Sequence, residues 1–284
     1  MSIRYPDFAG SWYPAGDEEC LRAIRDFLEH DEAVPESGGP WRGGVVPHAG
    51  WFFSGRAAAR VFSRISRAGN PPDVVIVFGG HLGPRHPHQL MADGAWRTPF
   101  GDLRVAEWLA GSLQKAYPFE VETPSRHRPD NTIELQMPFI KHFWPESEVL
   151  GIQVAARQEA LDIARKAVEE TKTRGRNPVF IGSTDLTHYG PNYGFTPKGC
   201  GPEAVRWVKE DNDRKAVECI LALDPEALIR EAQRNRNVCC PGAAAAALSA
   251  GRALGADRGA LVEYYTSYDM RPDESFVGYA GAVF

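Results

Sequence analysis

Residues 73–78 read Asp-Val-Val-Ile-Val-Phe and halt at Gly79-Gly80. An apolar, β-branched run with no polar alternation fits a strand buried on both faces. Residues 43–47, 148–154 and 178–182 have the same character. Between these runs the spacing turns helical: residues 17–29 carry Leu21, Ile24, Phe27 and Leu28 on one stripe. Further helices are expected at 55–65, 104–114, 132–143, 158–173, 205–221, 224–233 and 242–254. Residues 260–268 and 276–284 read as a closing strand pair. Strands alternating with helices predict an α/β fold, a single domain over residues 1–284 with a largely parallel central sheet flanked by helices. The polar Pro/Gly stretches 31–42 and 190–202 are loops, the second long enough to form a wall or lid beside a site.

Composition narrows the function classes. With 43% hydrophobic and 24% charged residues, the 284-residue chain has globular rather than disordered usage. A net charge of −5 and the lack of any long basic run argue against a nucleic-acid partner. No run of 18 apolar residues and no apolar leader occurs, so neither a membrane span nor secretion is expected. Five cysteines, odd in number and irregularly spaced, do not form a disulfide framework and point to a reducing cytoplasm.

Open α/β sheets bind ligands beyond the carboxyl ends of their strands. His48 follows the run at 43–47, His81 follows 73–80, and Asp185 and His188 follow 178–182. One loop histidine is most often merely solvated, but three at equivalent strand ends make a joint site. His30 and His142 fall near helix ends and read as surface. His86, His88 and His127 lie in polar loops and are either near the site or simply exposed. Val238-Cys239-Cys240-Pro241-Gly242 opens an alanine-rich helix, because proline suits the first helical turn. A thiolate is favoured at such a terminus and is a good soft metal ligand. The competing reading makes both cysteines small buried hydrophobes. Two histidines and one anionic ligand would leave positions open for a substrate and dioxygen on iron, with Asp185 and His188 as acid/base or orienting groups.

The motifs Phe8-Ala9-Gly10-Ser11-Trp12-Tyr13-Pro14, Val46-Pro47-His48-Ala49-Gly50-Trp51 and Thr98-Pro99-Phe100-Gly101-Asp102-Leu103 occur in that order. They are followed by Asn131-Thr132-Ile133-Glu134-Leu135-Gln136-Met137-Pro138-Phe139, then residues 183–190 (Ser-Thr-Asp-Leu-Thr-His-Tyr-Gly) and 275–281 (Ser-Phe-Val-Gly-Tyr-Ala-Gly). Together, across essentially the whole chain, they resemble the Memo family, protein B of the AmmeMemoRadiSam set. The resemblance implies a fold similar to class III extradiol ring-cleaving dioxygenases. It also implies a metal site of two histidines and a cysteine, mapping onto His48, His81 and Cys239, with Asp185 and His188 beside it. The sequence departs from the family pattern in three places. Asn131 stands where histidine is common, Cys240 replaces the glycine after the cysteine, and Leu-Gly-Pro-Arg follows His81, leaving His86 or His88 as substitutes.

The first functional expectation is a metal-dependent oxidoreductase, extradiol-dioxygenase-like, acting on a small aromatic or phenolic substrate. Its cofactor would be a divalent metal, Fe(II) first, with copper or zinc as other candidates. His188 would move a proton and Asp185 would orient it. Asn131 and a stacking wall of Trp51, Phe52, Phe53 and Tyr189 would contact substrate, although core packing explains those aromatics equally well. Cys240, His127 and His86 are additional site candidates. The second expectation is a non-catalytic module that binds a peptide or protein partner in the same cleft, although no arginine cluster marks a phosphate-reading site. Hydrolysis by a zinc-bound water is a third, weaker expectation.

Overall fold

The computed structural model describes residues 2–29 and 40–284, so His30 and most of the loop at 31–42 lie outside the described residues. Its strands are β1 (Ile3–Arg4), β2 (Gly43–Val46), β3 (Val74–Gly79), β4 (His88–Met91), β5 (Ala95–Thr98) and β6 (Gly101–Arg104). The remaining six are β7 (Phe119–Glu122), β8 (Glu148–Gln153), β9 (Pro178–Ser183), β10 (His188–Tyr189), β11 (Ala260–Thr266) and β12 (Phe276–Val283). The helices are α1 (Asp17–Leu28), α2 (Trp51–Arg67), α3 (Glu107–Ala116), α4 (Asn131–Glu134), α5 (Met137–Phe143) and α6 (Gln158–Thr173). They continue with α7 (Pro202–Trp207), α8 (Asp213–Leu221), α9 (Pro225–Asn235), α10 (Pro241–Ala253) and α11 (Ser267–Met270).

The four apolar runs singled out in the sequence form the middle of the main sheet, in the parallel order β2-β9-β3-β8. Each is buried along nearly its whole length, as unbroken β-branched runs require. Parallel order does not persist to the edges. β12 pairs antiparallel with β2, β10 and β11 pair antiparallel with β12, and β4 pairs antiparallel with β8. The sheet is therefore parallel at its centre and mixed outside it. The small β1-β5-β6 sheet and the edge strands β4 and β7 were not anticipated.

Four expected helices have different bounds: the one expected at 55–65 begins already at Trp51, as α2. The stretch at 104–114 begins as β6, and its helix starts only at Glu107. The stretch at 132–143 splits into α4 and α5, because Pro138 brings no N–H to continue the ladder. The stretch at 205–221 runs through α7 and α8 with a widened π turn at Val208–Asn212 between them.

Helices cover both faces. A Cβ on Gly44 would stand 2.7 Å from Val61 of α2, whereas one on Gly182 would stand 2.9 Å from Ala244 of α10. Gly182 pairs with Val45, the neighbour of Gly44, so the strand pleat puts α2 and α10 on opposite faces. The alanine run of α10 is buried throughout and lets the helix lie close on the sheet. No helix among the described residues is long and apolar enough to cross a membrane.

Candidate metal centre

The carboxyl ends of β2, β3 and β9 meet the start of α10. Pro47 and His48 follow β2, and their carbonyls accept hydrogen bonds from Gln136 Nε2 (3.0 Å) and Asn131 Nδ2 (2.9 Å). The His48 backbone N–H donates to Asp185 Oδ1 at 2.8 Å. Beyond β3, the Gly80 N–H donates to Thr132 Oγ1 at 2.7 Å, and its φ of +97° turns the chain toward His81. The two cysteines are held from the end of β9. Cys239 N–H donates to the Asp185 carbonyl (3.1 Å), and Cys240 N–H donates to Thr184 Oγ1 (2.9 Å). Gly242 permits this docking, since a Cβ there would lie 2.8 Å from the Ala155 carbonyl carbon.

The result is a convergence of donors. His48, His81, Cys239 and Cys240 offer ligand atoms that all lie within 4.8 Å of one another. His48 Nε2 is 3.2 Å from Cys239 Sγ, Cys240 Sγ is 3.3 Å from His81 Nδ1, and the two sulfurs are 3.6 Å apart. The Ser183 hydroxyl sits 3.1 Å from His48 Nδ1, leaving Nε2 directed at the cluster. His48 is buried, so its orientation is set by these partners. Two imidazoles and two sulfurs are also a good donor set for a borderline or soft cation.

Charge within the cluster is shared. A hydrogen bond from Cys240 holds the Cys239 thiol well below the usual thiol range despite its burial, with His48 and His188 adding to the effect. Burial pushes the Cys240 thiol up, and the neighbouring Cys239 pushes it further. Burial opposes a charge on His48, but Asp185 and Cys239 outweigh it and push its pKa up to about 9. A hydrogen bond with Cys239 raises His81 against its burial. Burial likewise opposes charge on His188, yet Asp185 and Cys239 push it up to about 10. His188 Nε2 lies 3.7 Å from Asp185 Oδ2, close enough for an ion pair, and is buried without a hydrogen-bond partner. Behind it, Thr187 donates through its N–H to Asp213 Oδ1 (3.0 Å), and Tyr264 donates to Oδ2 (2.9 Å). Burial pushes Asp213 up to about 6.

The cluster opens into a cavity of about 690 Å³ lined by His48, His81, Asn131, Asp185 and His188. Its aromatic wall differs from the one expected. Phe52 and Phe53 line it, joined by Trp12, Tyr193 and Tyr279. Trp51 does not: it is buried, stacks on Phe139 with centroids 4.2 Å apart, and donates to the Leu135 carbonyl. Tyr189 does not either. It is buried against Phe276, and its hydroxyl donates to the Gly199 carbonyl. His127 pairs with Asp7 at 3.1 Å, away from the cavity. His86 is an exposed loop residue, and His88 is buried in β4 beside Glu159. His142 is half-buried against Phe143 rather than on the surface. A second cavity, of about 420 Å³, shares His188 and Tyr193 with the first and takes in Cys239 and Cys240.

Comparison with known proteins decides the family. The sequence model described as Memo-like protein matches residues 4–283. The chain belongs to the Memo family. A MEMO1 family protein of Methanopyrus kandleri is 35% identical, over 99% of this chain and 98% of that protein. A MEMO1 family protein of Thermococcus kodakarensis is 32% identical, over 99% of both chains. The fold also resembles that of an uncharacterized protein from Escherichia coli K12, with a TM-score of 0.52 and 10% identity over 79% of this chain and 91% of that one. Of the six motifs carrying the Memo resemblance, five contribute to the cavity lining, through Trp12, His48, Asn131, His188 and Tyr279 among others. The sixth, at 98–103, belongs to the β5–β6 hairpin.

Proposed function

We propose that this Memo-family chain is a metal-dependent oxidoreductase acting on a small aromatic or phenolic substrate in the cytoplasm. One observation carries the reading: two histidines that line a cavity walled by aromatic side chains lie within 4.8 Å of the Cys239 sulfur, which lines the adjoining cavity. His48, His81 and Cys239 would hold the metal, Fe(II) first, with copper or zinc as the other candidates. Bound iron supplies one-electron chemistry with dioxygen. The cavity size suits a ligand of one or two rings. Trp12, Phe52 and Tyr193 remain 40%, 67% and 39% exposed, an unusual concentration of accessible aromatic surface around one opening.

The protein's own groups have definable tasks. Asp185 holds the His48 backbone with one carboxylate oxygen and faces His188 with the other. Asp185 and Cys239 favour the protonated form of His188, which lines the cavity and is the group placed to pass a proton to a bound ligand. Asn131 keeps its amide nitrogen on the His48 carbonyl, so its part is to fix that loop at the cavity wall. Phe52, standing out at the rim, also fits the second reading, a peptide-binding module without turnover.

The test is dioxygen uptake by anaerobically purified, iron-loaded protein across a panel of catechols and phenols. The oxidoreductase reading predicts substrate-dependent uptake that His188→Ala lowers by about 10²–10⁴-fold. Tight binding of aromatic ligands or peptides with no uptake from any panel member would favour the binding module instead.

A further inference from the structure

We propose that Cys240 supplies a second thiolate to the same ion as His48, His81 and Cys239, making a four-donor centre. This rests on the metal-site reading above and goes beyond its three ligands. The distances between donor atoms carry the argument. Around a tetrahedral zinc ion, metal–sulfur bonds of about 2.3 Å and metal–nitrogen bonds of about 2.0–2.1 Å place two sulfurs roughly 3.8 Å apart. The same bonds place a sulfur and a nitrogen roughly 3.5 Å apart. The observed sulfur–sulfur separation is 3.6 Å, and the sulfur–nitrogen separations are 3.2 and 3.3 Å. These three separations are within a few tenths of an ångström of tetrahedral edges, and the other three, all within 4.8 Å, have to close further around a bound ion.

The backbone explains how adjacent cysteines can turn to one point. The Cys239 N–H is tied to the Asp185 carbonyl and the Cys240 N–H to the Thr184 hydroxyl, both just past the end of β9. With φ −121° and ψ 66°, Cys240 is not yet helical, so its side chain is not committed to the outward direction of the following turn. Cys240 is buried, and its sulfur has His81 and Cys239 as its neighbours. Two thiolates and two imidazoles select softer cations than a three-donor site would, favouring copper(I) or zinc over harder ions. Four protein donors would fill a tetrahedral centre, so a substrate atom would reach the ion at a fifth position, on the side where His81 is exposed to the cavity.

Cobalt(II) reports thiolate ligation through its sulfur-to-metal charge-transfer absorption. In the cobalt-loaded protein, the wild type is expected to show about twice the absorption of either Cys239→Ser or Cys240→Ser. Equal intensity in wild type and Cys240→Ser would overturn the inference. Because Cys240 is buried, X-ray absorption on the zinc-loaded wild-type protein provides a measurement that needs no variant. A shell of two sulfurs and two nitrogens supports the four-donor centre, and one sulfur overturns it while leaving the metal site intact. Failure of cobalt and zinc to bind at all would instead sink the metal-site reading together with this one.

Discussion

Ser183 Oγ lies 3.1 Å from His48 Nδ1, on the far side of the ring from the Cys239 sulfur that Nε2 approaches at 3.2 Å. A residue at the last position of β9 thus sets which nitrogen of a β2-end histidine is available to the cluster. Groups that orient a ligating histidine in this way typically contribute about 10–100-fold to metal affinity. Ser183→Ala should weaken metal binding by that factor while leaving the fold unchanged, as measured by competition with a chromophoric chelator. Unchanged affinity would show that the hydroxyl does not orient His48.

Trp51 and Phe52 are adjacent but do different work. Trp51→Ala should cost about 3–5 kcal/mol in urea unfolding, since it removes a buried ring stacked on Phe139. Phe52→Ala should change stability by no more than about 0.5 kcal/mol. It should weaken binding of aromatic ligands by roughly three- to tenfold, the worth of one ring contact. Stability loss at Phe52 with no effect on binding would reverse the assignment.

The strand ends carrying His48, His81, Asp185 and His188 were legible because buried parallel strands advertise themselves as unbroken apolar runs. The aromatic wall was not, for two geometric reasons. Expecting the second helix to begin at residue 55 left Trp51 in a loop. Because α2 begins at Trp51, that residue shares a stripe with Ala58, Phe62 and Ile65, which is the buried face. Tyr189 follows His188 in a strand, and neighbours in a strand point to opposite faces, so only one of them could reach the cavity. Tyr193 lies in the loop at 190–202 anticipated as a wall, and its ring sits 4.8 Å from that of His188. Trp12 and Tyr279 stood in quoted motifs, but no local pattern linked them to strands far away in the chain. The small β1-β5-β6 sheet was missed because its strands are two to four residues long and carry no alternation to read.

Gly242 lets α10 dock against the end of β8. Gly242→Ala places a methyl group 2.8–2.9 Å from the backbone of Val154, Ala155 and Ala156, where nothing can move aside cheaply. The expected cost is about 1–3 kcal/mol of stability. Metal affinity should fall as well, because the displaced helix start carries both cysteines. Chemical unfolding and metal competition measured on the same preparation would check both, and retention of full affinity would separate the docking from the centre.

Asp213 predicts a pH dependence. Its folded pKa is pushed up to about 6 by burial, above the usual carboxylate value of about 3.9. The folded state therefore binds the proton more tightly than the unfolded chain. This contribution to stability is complete below about pH 4 and is lost as pH rises through about 6. Two pKa units correspond to roughly 3 kcal/mol. Asp213→Asn removes this titration, so the variant should gain on the wild type by up to that amount between pH 4 and 7, in urea unfolding of metal-free protein. Parallel pH profiles would contradict the assignment.

Any chemistry in this cavity depends first on whether His48, His81 and Cys239 hold a metal. The direct measurement is the metal content, by mass spectrometry, of protein purified anaerobically and loaded with iron, copper or zinc. Wild type should retain about one equivalent after desalting, and His48→Ala, His81→Ala and Cys239→Ser should each retain almost none while remaining folded by circular dichroism. Wild-type protein that keeps no metal, or variants that keep as much as wild type, would contradict the metal-site reading.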